Sequence, residues 1–317
     1  MFRKLAVILF LLSGLAISTG GSAVQAGWGD RTRPFPDSRF MEIDGVRLHY
    51  RIWGVDNQDD TKPWVLLVHG MGGSTFSWER NAPAIAGAGL RVVAVDVPPF
   101  GYSDKNPDLN QSVDVRAELL WIFLEGLRPG AGWYLVGHSM GGGIVQCMAI
   151  LHPEKVEKVV FSDPALFGQT GERSMATMPI LRFQPFQWLF TGIGKVFLVS
   201  PKNIRKFLTS AYAAEPDQAD IDEYLRALRV PGTARALIRS MAISKPARHI
   251  DGKTFNTPAL AIWGSLDSWV PLEKSKPLLE KIPSIRTEVI EGAGHCPMAT
   301  HPDQFNRLVI GFLLPKH

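Results

Sequence analysis

The sequence predicts an α/β fold, with a mainly parallel sheet that is covered by helices on both faces. Short apolar runs alternate with helical segments over most of the 317 residues. Runs such as Val65-Leu66-Leu67-Val68 are apolar at every position, as in strands that are buried on both faces. Strands separated by helices join as parallel neighbours through crossover connections. The chain, which is 45% hydrophobic, is long enough for one large core.

The first residues are typical of a secretory signal. Arg3 and Lys4 precede an apolar run over residues 5–17, and small residues follow up to Ala26. The run is shorter than the roughly 20 residues of a membrane-spanning helix. We therefore expect residues 1–26 to be a signal peptide removed on export to the periplasm or the medium; an uncleaved N-terminal membrane anchor is the alternative.

Strand and helix signals then follow in order. Residues 40–53 alternate apolar and polar side chains around Asp44-Gly45, a dipeptide typical of a hairpin turn. Periodicity and turn residues predict strands near residues 64–69, 91–96, 133–138, 156–162, 259–263 and 286–290, and helices near 77–87, 112–127, 140–151, 272–281 and 302–314. Residues 27–165 and 251–317 are accordingly assigned to the α/β core.

The alternation stops between the two parts of the core. Residues 166–250 contain helical segments and several prolines, and we interpret them as a helical cap over the active site. This segment holds 12 Lys and Arg against six Asp and Glu, so it carries the excess positive charge of the chain. Its apolar residues 180–199 predict either the core of the cap, an apolar acyl or aromatic pocket, or a surface that contacts a membrane or lipid.

The most informative motif is Gly137-His138-Ser139-Met140-Gly141, which follows an apolar run and precedes a helical one. A serine in this G-x-S-x-G pattern occupies a sharp strand-to-helix turn that presents its Oγ for nucleophilic attack. The small residues allow the strand and the helix to approach each other. The motif predicts a serine nucleophile at the carboxyl edge of the sheet.

Three further segments carry the groups that such a serine requires. His69-Gly70-Met71-Gly72-Gly73 is a glycine-rich loop after a strand, Asp267 ends another strand, and His295 ends the last one. The order serine, aspartate, histidine is that of the α/β-hydrolase triad. With these residues, the chain resembles the α/β-hydrolase superfamily from about residue 40 onward. Pro99 departs from the glycine usual in its loop, which leaves the shape of that turn open.

The chemistry of the triad gives each residue a role. The Ser139 hydroxyl needs a base to take its proton, and the His295 imidazole can accept a proton and return it near neutral pH. Asp267 would accept the other ring proton of His295, and the backbone amides of Met71 and Met140 would bind the oxyanion. The reaction needs no metal and no cofactor, and we predict neither.

Neighbouring residues have alternative interpretations. Asp163 also ends a strand, and some members of the superfamily place the acid there, but we favour Asp267. His138 and His69 are expected to support the elbow and the oxyanion loop, respectively. Cys147 and Cys296 are too few for a disulfide framework and are not expected to pair.

A serine nucleophile points to acyl transfer, so we predict a serine hydrolase of the esterase or lipase type that cleaves carboxylic esters through an acyl-enzyme. Haloalkane dehalogenases and epoxide hydrolases resemble the chain but use aspartate at the elbow. A carbon–carbon bond hydrolase of the ring-fission type is the alternative, although those relatives usually carry Pro-Gly in the oxyanion loop. A ligand-binding protein with little turnover is the third interpretation. The expected partner is a small ester with an apolar acyl group. A net charge of +4 without a basic stripe predicts no nucleic-acid binding, and the sequence does not indicate an oligomeric state.

Overall fold

The computed structural model describes residues 33–56, 63–166, 199–243, 255–280, 282 and 284–314. Within these residues the strands are β1 (Arg39–Ile43), β2 (Val46–Trp53), β3 (Trp64–Val68), β4 (Val92–Val95), β5 (Trp133–His138), β6 (Val156–Ser162), β7 (Ala259–Gly264) and β8 (Ile285–Ile290). They form one sheet in the order β1-β2-β4-β3-β5-β6-β7-β8. The pairs β1·β2 and β2·β4 are antiparallel and all the other pairs are parallel. The predicted α/β-hydrolase fold is confirmed.

The helices that follow these strands are α1 (Ala82–Gly87), α2 (Val113–Leu127), α3 (Met140–Leu151), α4 (Pro201–Tyr212), α5 (Gln218–Leu228), α6 (Thr233–Ile243), α7 (Leu272–Leu279), α8 (Pro297–Thr300) and α9 (Pro302–Leu313). Short 3₁₀ helices span Thr75–Trp78 and Pro153–Lys155. Most of the predicted helices are present within two residues of their expected ends.

The strand side chains divide between two apolar cores, one on each face of the sheet. Leu66 and Val68 of β3 contact the core built with α2 and α3, whereas Val65 and Leu67 contact the core built with α1 and α9. All four side chains are fully buried. This division accounts for strands that are apolar at every position.

The prediction of one continuous helix over residues 77–87 is wrong, because this region forms two separate elements. The chain forms a 3₁₀ turn over Thr75–Trp78 and starts a separate α-helix at Ala82. Pro83 has no amide proton to donate inside a helix, so it is tolerated only in the first turn of a new one. The side chain of Asn81, which joins the two pieces, donates to the Met298 carbonyl and the Asn306 amide oxygen.

The described part of the segment between β6 and β7 contains three helices joined by short loops, and it contains no strand. Helices α4, α5 and α6 lie within the predicted cap, and Ile204, Leu208, Ile221 and Leu225 pack into the core on the α1 side of the sheet. Most of the apolar set at residues 180–199 lies outside the described residues. The cap boundaries at residues 166 and 250 therefore stay a prediction.

The N-terminal signal segment also lies outside the described residues. Among the residues that are described, no helix is both long enough and apolar enough to cross a bilayer.

Candidate active site

Ser139 lies in the turn between β5 and α3, and its backbone is strained. Its φ of 51° and ψ of −115° are unusual for a residue with a side chain. The turn is held by the Ser139 amide, which donates to the Ser162 carbonyl at 3.0 Å, and by the Ser139 carbonyl, which accepts from the Ala165 amide at 2.9 Å. Ser139 lines a pocket at this turn.

The glycines of the elbow are required by close packing. A Cβ atom on Gly137 would lie 2.4 Å from the Gly141 carbonyl oxygen, and one on Gly141 would lie 2.2 Å from the Val68 carbonyl oxygen. Both distances are far below van der Waals contact. The motif therefore encodes the packing of α3 against β5 and β3 as well as the position of the serine.

His295 joins the two other residues of the predicted triad. Its Nε2 lies 2.9 Å from Ser139 Oγ, and its Nδ1 lies 2.8 Å from Asp267 Oδ2. Because the carboxylate accepts the proton of Nδ1, Nε2 is free to accept the proton of the Ser139 hydroxyl. The loops after β5, β7 and β8 thus bring together three residues that are far apart in the sequence.

Asp267 is fixed on its other side by backbone amides. Its Oδ1 accepts from the amide of Trp269 at 2.7 Å and from that of Val270 at 3.0 Å. Burial disfavours the charged carboxylate, but the hydrogen bonds from His295 and from these two amides lower the pKa of Asp267 below its usual value. The group is therefore an oriented anion at neutral pH.

Asp163, the other candidate acid, lies beside this pair. Ligand atoms of Asp163, Asp267 and His295 are all within 4.8 Å of one another. Asp163 is fully buried, and its Oδ1 accepts from the Gly264 amide at 2.9 Å. The Nδ1 atom of His295 bonds to Asp267, so the geometry favours Asp267 as the acid that orients the imidazole.

The two predicted oxyanion amides border the serine. Met71 lines the pocket that contains Ser139, and Met140 is the first residue of α3. Neither backbone amide donates to another described residue. Both amides are therefore available to an oxygen atom bound above Ser139.

His69 and His138 take supporting positions. His69 lies 2.7 Å through Nδ1 from the Gly70 carbonyl, and its Nε2 accepts from the Val97 amide at 2.9 Å. His138 donates from Nε2 to the His295 carbonyl at 2.8 Å. Burial, together with the neighbouring His295, lowers the pKa of His138 to about 3, so this ring is neutral. The first ring supports the loop after β3, and the second supports the loop that carries His295.

The pocket wall contains residues that the sequence analysis did not single out. Trp269 stacks on His295 with ring centroids 5.3 Å apart, contacts Phe207 of α4, and donates from its indole to the Ser210 hydroxyl at 3.1 Å. Because Trp269 follows the predicted acid Asp267 by two residues, its sequence position alone could have placed it near the site. Trp269 thus connects the catalytic loop to the helices above the sheet.

The described lining of this pocket is mostly apolar and carries no Lys, Arg, Asp or Glu: Gly70, Met71, Gly73, Ser77, His138, Ser139, Phe207, Leu208, Ala211, Tyr224, Trp269, His295 and Cys296. Cys296 and Cys147 are both buried free thiols. Burial raises the pKa of the Cys296 thiol well above its usual value, so it is not a nucleophile at neutral pH.

A larger cleft of about 380 Å³ lies elsewhere, lined by residues that include Phe35, Glu79, Glu223 and Arg226. Of its charged groups, Glu79 pairs with Arg51 and Glu223 pairs with Arg226, while the Asp222 carboxylate accepts from the side-chain amide of Gln218. None of the triad residues lines it.

Comparison with known proteins supports the fold and the class of enzyme. Residues 63–302 match the family described as alpha/beta hydrolase fold. The chain is 29% identical, over 87% of its length and 95% of the relative, to a 2-hydroxy-6-oxononadienedioate/2-hydroxy-6-oxononatrienedioate hydrolase of Burkholderia vietnamiensis. It is similar in structure to a serine hydrolase involved in carbazole degradation, the CarC enzyme, with a TM-score of 0.68, 21% identity and coverage of 88% and 99% of the two chains. A membrane phospholipase A described as a bacterial virulence factor gives a TM-score of 0.66 at 22% identity, with coverage of 87% and 85%.

Proposed function

Because the chain belongs to the α/β-hydrolase fold family, we propose that it is a serine hydrolase that attacks a carbonyl carbon with Ser139. The observation that carries this proposal is the bridge of His295 between Ser139 Oγ at 2.9 Å and Asp267 Oδ2 at 2.8 Å. The strained backbone of Ser139 supports it independently, since strain of this kind persists at functional sites.

The geometry fits a two-step mechanism. His295 Nε2 takes the hydroxyl proton as Ser139 Oγ bonds to the carbonyl carbon, and the resulting oxyanion is bound by the amides of Met71 and Met140. The imidazolium then gives its proton to the leaving group, whose bond to the carbonyl carbon breaks and leaves an acyl-enzyme. Water, deprotonated by His295, attacks this intermediate and releases the acid and Ser139.

Asp267 and the surrounding wall support the charged state of His295 in this cycle. The Asp267 carboxylate lies against Nδ1 and stabilises the imidazolium. Trp269 covers one face of the ring, and the His295 side chain is almost fully buried. In such a water-poor site, fixed charges and dipoles act more strongly than in bulk solvent.

The names of the relatives favour carbon–carbon bond hydrolysis, which the sequence analysis gave as the alternative to ester hydrolysis. Several relatives with 27–29% identity are named 2-hydroxy-6-oxononadienedioate/2-hydroxy-6-oxononatrienedioate hydrolases. An oxo group in the substrate offers the electrophilic carbon that Ser139 requires. We therefore take cleavage of a carbon–carbon bond next to a ketone as the first candidate reaction.

The pocket lining favours ester hydrolysis as a second candidate. A dioate carries two carboxylates, and the described lining offers no Lys or Arg to pair with them. A buried charge without a partner is costly, whereas Phe207, Leu208 and Trp269 suit an uncharged acyl chain. The substrate of this candidate is a small ester with an apolar acyl group.

Two further proposals concern export of the chain and the function of the cap. The basic, apolar and small-residue order of residues 1–26 supports export, with an uncleaved anchor as the alternative. The basic, apolar composition of residues 166–250 supports a cap that encloses the substrate or contacts a lipid surface.

One set of measurements separates these functions. A fluorophosphonate should add to the parent protein and not to Ser139→Ala, while Ser77→Ala, which removes a hydroxyl from the same pocket without a histidine contact, should still be labelled. Turnover of p-nitrophenyl esters is then compared with turnover of a ring-fission dienone carrying carboxylates. Hydrolysis of the dienone alone supports the first candidate and hydrolysis of the esters alone supports the second. Equal labelling of Ser139→Ala and the parent would disprove the serine mechanism.

A further inference from the structure

A second carboxyl group, which the mechanism above does not use, lies beside the candidate triad. Asp163 follows β6 directly, has a positive φ of 43°, and is fully buried. Its carboxyl oxygen, that of Asp267 and a ring nitrogen of His295 all lie within 4.8 Å of one another. Two buried acids thus share the space behind one imidazole.

Asp163 is held in this position by neighbours on β6 and β7. Its Oδ1 accepts from the Gly264 amide at 2.9 Å, its Oδ2 accepts from the Ser162 hydroxyl at 3.2 Å, and its own amide donates to the Ile262 carbonyl at 2.9 Å. The Asp163 side chain therefore cannot turn away from Asp267 without losing its bonds from Gly264 and Ser162.

The hydrogen bonds to Asp267 leave Asp163 facing a fully charged neighbour. Asp267 is an acceptor at both oxygens, from His295 at Oδ2 and from Trp269 and Val270 at Oδ1. Two adjacent buried carboxylates repel each other in a medium of low dielectric, so both are not ionised unless a nearby positive charge balances them. The hydrogen bonds place the negative charge on Asp267.

Within the described part of the chain, Cys296 and His138 do not supply a positive charge that would balance Asp163. His295 lies on the loop after β8, and Cys296 follows it with its thiol protonated by burial. His138, at the end of β5, is neutral because burial lowers its pKa to about 3. Burial and the nearby Asp267 carboxylate raise the pKa of Asp163 well above its usual range.

We propose that Asp163 is a positioning residue that keeps its proton and donates it in a hydrogen bond to the Asp267 carboxylate. The bond holds Asp267 against His295 Nδ1 and keeps a single negative charge behind the imidazole. This role rests on the proposed serine mechanism, but the protonation state of Asp163 does not depend on it.

Two substitutions distinguish a proton donor from a residue that only fills space. Asp163→Asn keeps a donor toward Asp267 and an acceptor toward the Gly264 amide, so kcat should fall by no more than about threefold. Asp163→Leu keeps the branched shape of the side chain without a donor, and kcat should fall about 10- to 100-fold with little change in KM, as expected when a catalytic group is displaced. Equal losses in both variants would contradict the proposal.

The pH profile adds a readout that a structural role would not change. As the pH rises through the raised pKa of Asp163, this residue of the parent loses its proton and places a second anion beside Asp267, so kcat of the parent should decline there. Asp163→Asn has no proton to lose and should not show this decline. Superimposable alkaline limbs in the two proteins would overturn the proposal.

Infrared spectroscopy tests the protonation state without any substrate. The difference spectrum between the parent and Asp163→Asn at neutral pH should contain the C=O stretch of a protonated carboxyl, and this band should shift when the parent is labelled with ¹³C-aspartate. A difference spectrum with only a carboxylate band would refute the proposal. This measurement also decides the matter if Asp163→Leu does not fold, or if the serine mechanism proves wrong.

Discussion

Replacing Asp267 by asparagine should switch the tautomer of His295. The Trp269 and Val270 amides donate to one oxygen of Asp267, and they would hold the side-chain oxygen of the introduced asparagine in the same place. The amide NH₂ group would then face His295 Nδ1, at the 2.8 Å position now occupied by a carboxylate oxygen. Because NH₂ only donates, Nδ1 would become the acceptor and the ring proton would move to Nε2.

The consequence for catalysis follows from the position of Nε2. A protonated Nε2, 2.9 Å from Ser139 Oγ, cannot accept the hydroxyl proton. In comparable triads the same aspartate-to-asparagine change lowers kcat by about 10⁴. That factor corresponds to about 5.4 kcal/mol of lost transition-state stabilisation, at about 1.36 kcal/mol for each tenfold step. Substrate binding in the apolar pocket should change little, so KM should stay close to that of the parent.

The assay is steady-state hydrolysis of the best ester or dienone, with the folded state of each variant checked by circular dichroism. Asp163→Asn is the matched control, since it makes the same chemical change to the carboxyl group that does not contact Nδ1. A folded Asp267→Asn variant within tenfold of the parent would refute the tautomer argument. Collapse of activity in the control with near-normal activity in Asp267→Asn would assign the acid to Asp163 instead.

Four further outcomes are expected. Ser139→Ala should fold but lower kcat on the order of 10⁶-fold, and retention of more than a hundredth of the activity would contradict its role as nucleophile. Gly141→Ala places a Cβ atom 2.2 Å from the Val68 carbonyl oxygen, so urea denaturation should show a loss of at least about 1–3 kcal/mol; a neutral effect would show that the elbow can relax. The raised folded-state pKa of Asp163 means that this carboxyl stabilises the fold fully below pH 3.8 and loses that effect as pH rises. Between pH 3.8 and the folded-state pKa of Asp163, the unfolding free energy of the parent minus that of Asp163→Asn should therefore fall by up to about 1.4 kcal/mol per pH unit. A pH-independent difference would argue against a protonated Asp163. If the enzyme is an esterase, kcat/KM should rise along a series of p-nitrophenyl esters until the pocket is full, at about 0.8 kcal/mol per buried methylene, whereas a flat series would exclude an apolar acyl pocket.

Local sequence patterns were sufficient for the fold because each strand and helix carries its own signal. Buried strands such as β3 are apolar at every position, and the hairpin turn at Asp44-Gly45 has positive φ at both residues. The elbow motif was equally informative, because a Cβ atom on either of its glycines would lie 2.4 Å or less from a backbone carbonyl oxygen. Between Trp78 and Ala82, where a 3₁₀ turn ends and a new helix begins, periodicity alone merged two elements into one.

The chain order of Ser139, Asp267 and His295 is sufficient to predict the members of the candidate triad. Sequence order could not choose firmly between Asp163 and Asp267, because both end strands at the same edge of the sheet. The choice depends on which oxygen lies 2.8 Å from Nδ1, and that distance is set by the loop after β7 and the amides of Trp269 and Val270.

The sequence by itself determined the α/β class, the parallel strands and the residues that carry the candidate chemistry, because these depend on local periodicity and on short motifs with a fixed backbone shape. Only the tertiary structure decided how Trp269 covers His295, that the His138 ring is neutral, and that two buried acids lie beside one imidazole. These properties arise from contacts between β5, β6, β7, β8 and α4, which are distant in the chain. Burial and charge at such contacts depend on distances of a few ångströms between segments, and these distances cannot be predicted from the residue pattern of any single segment.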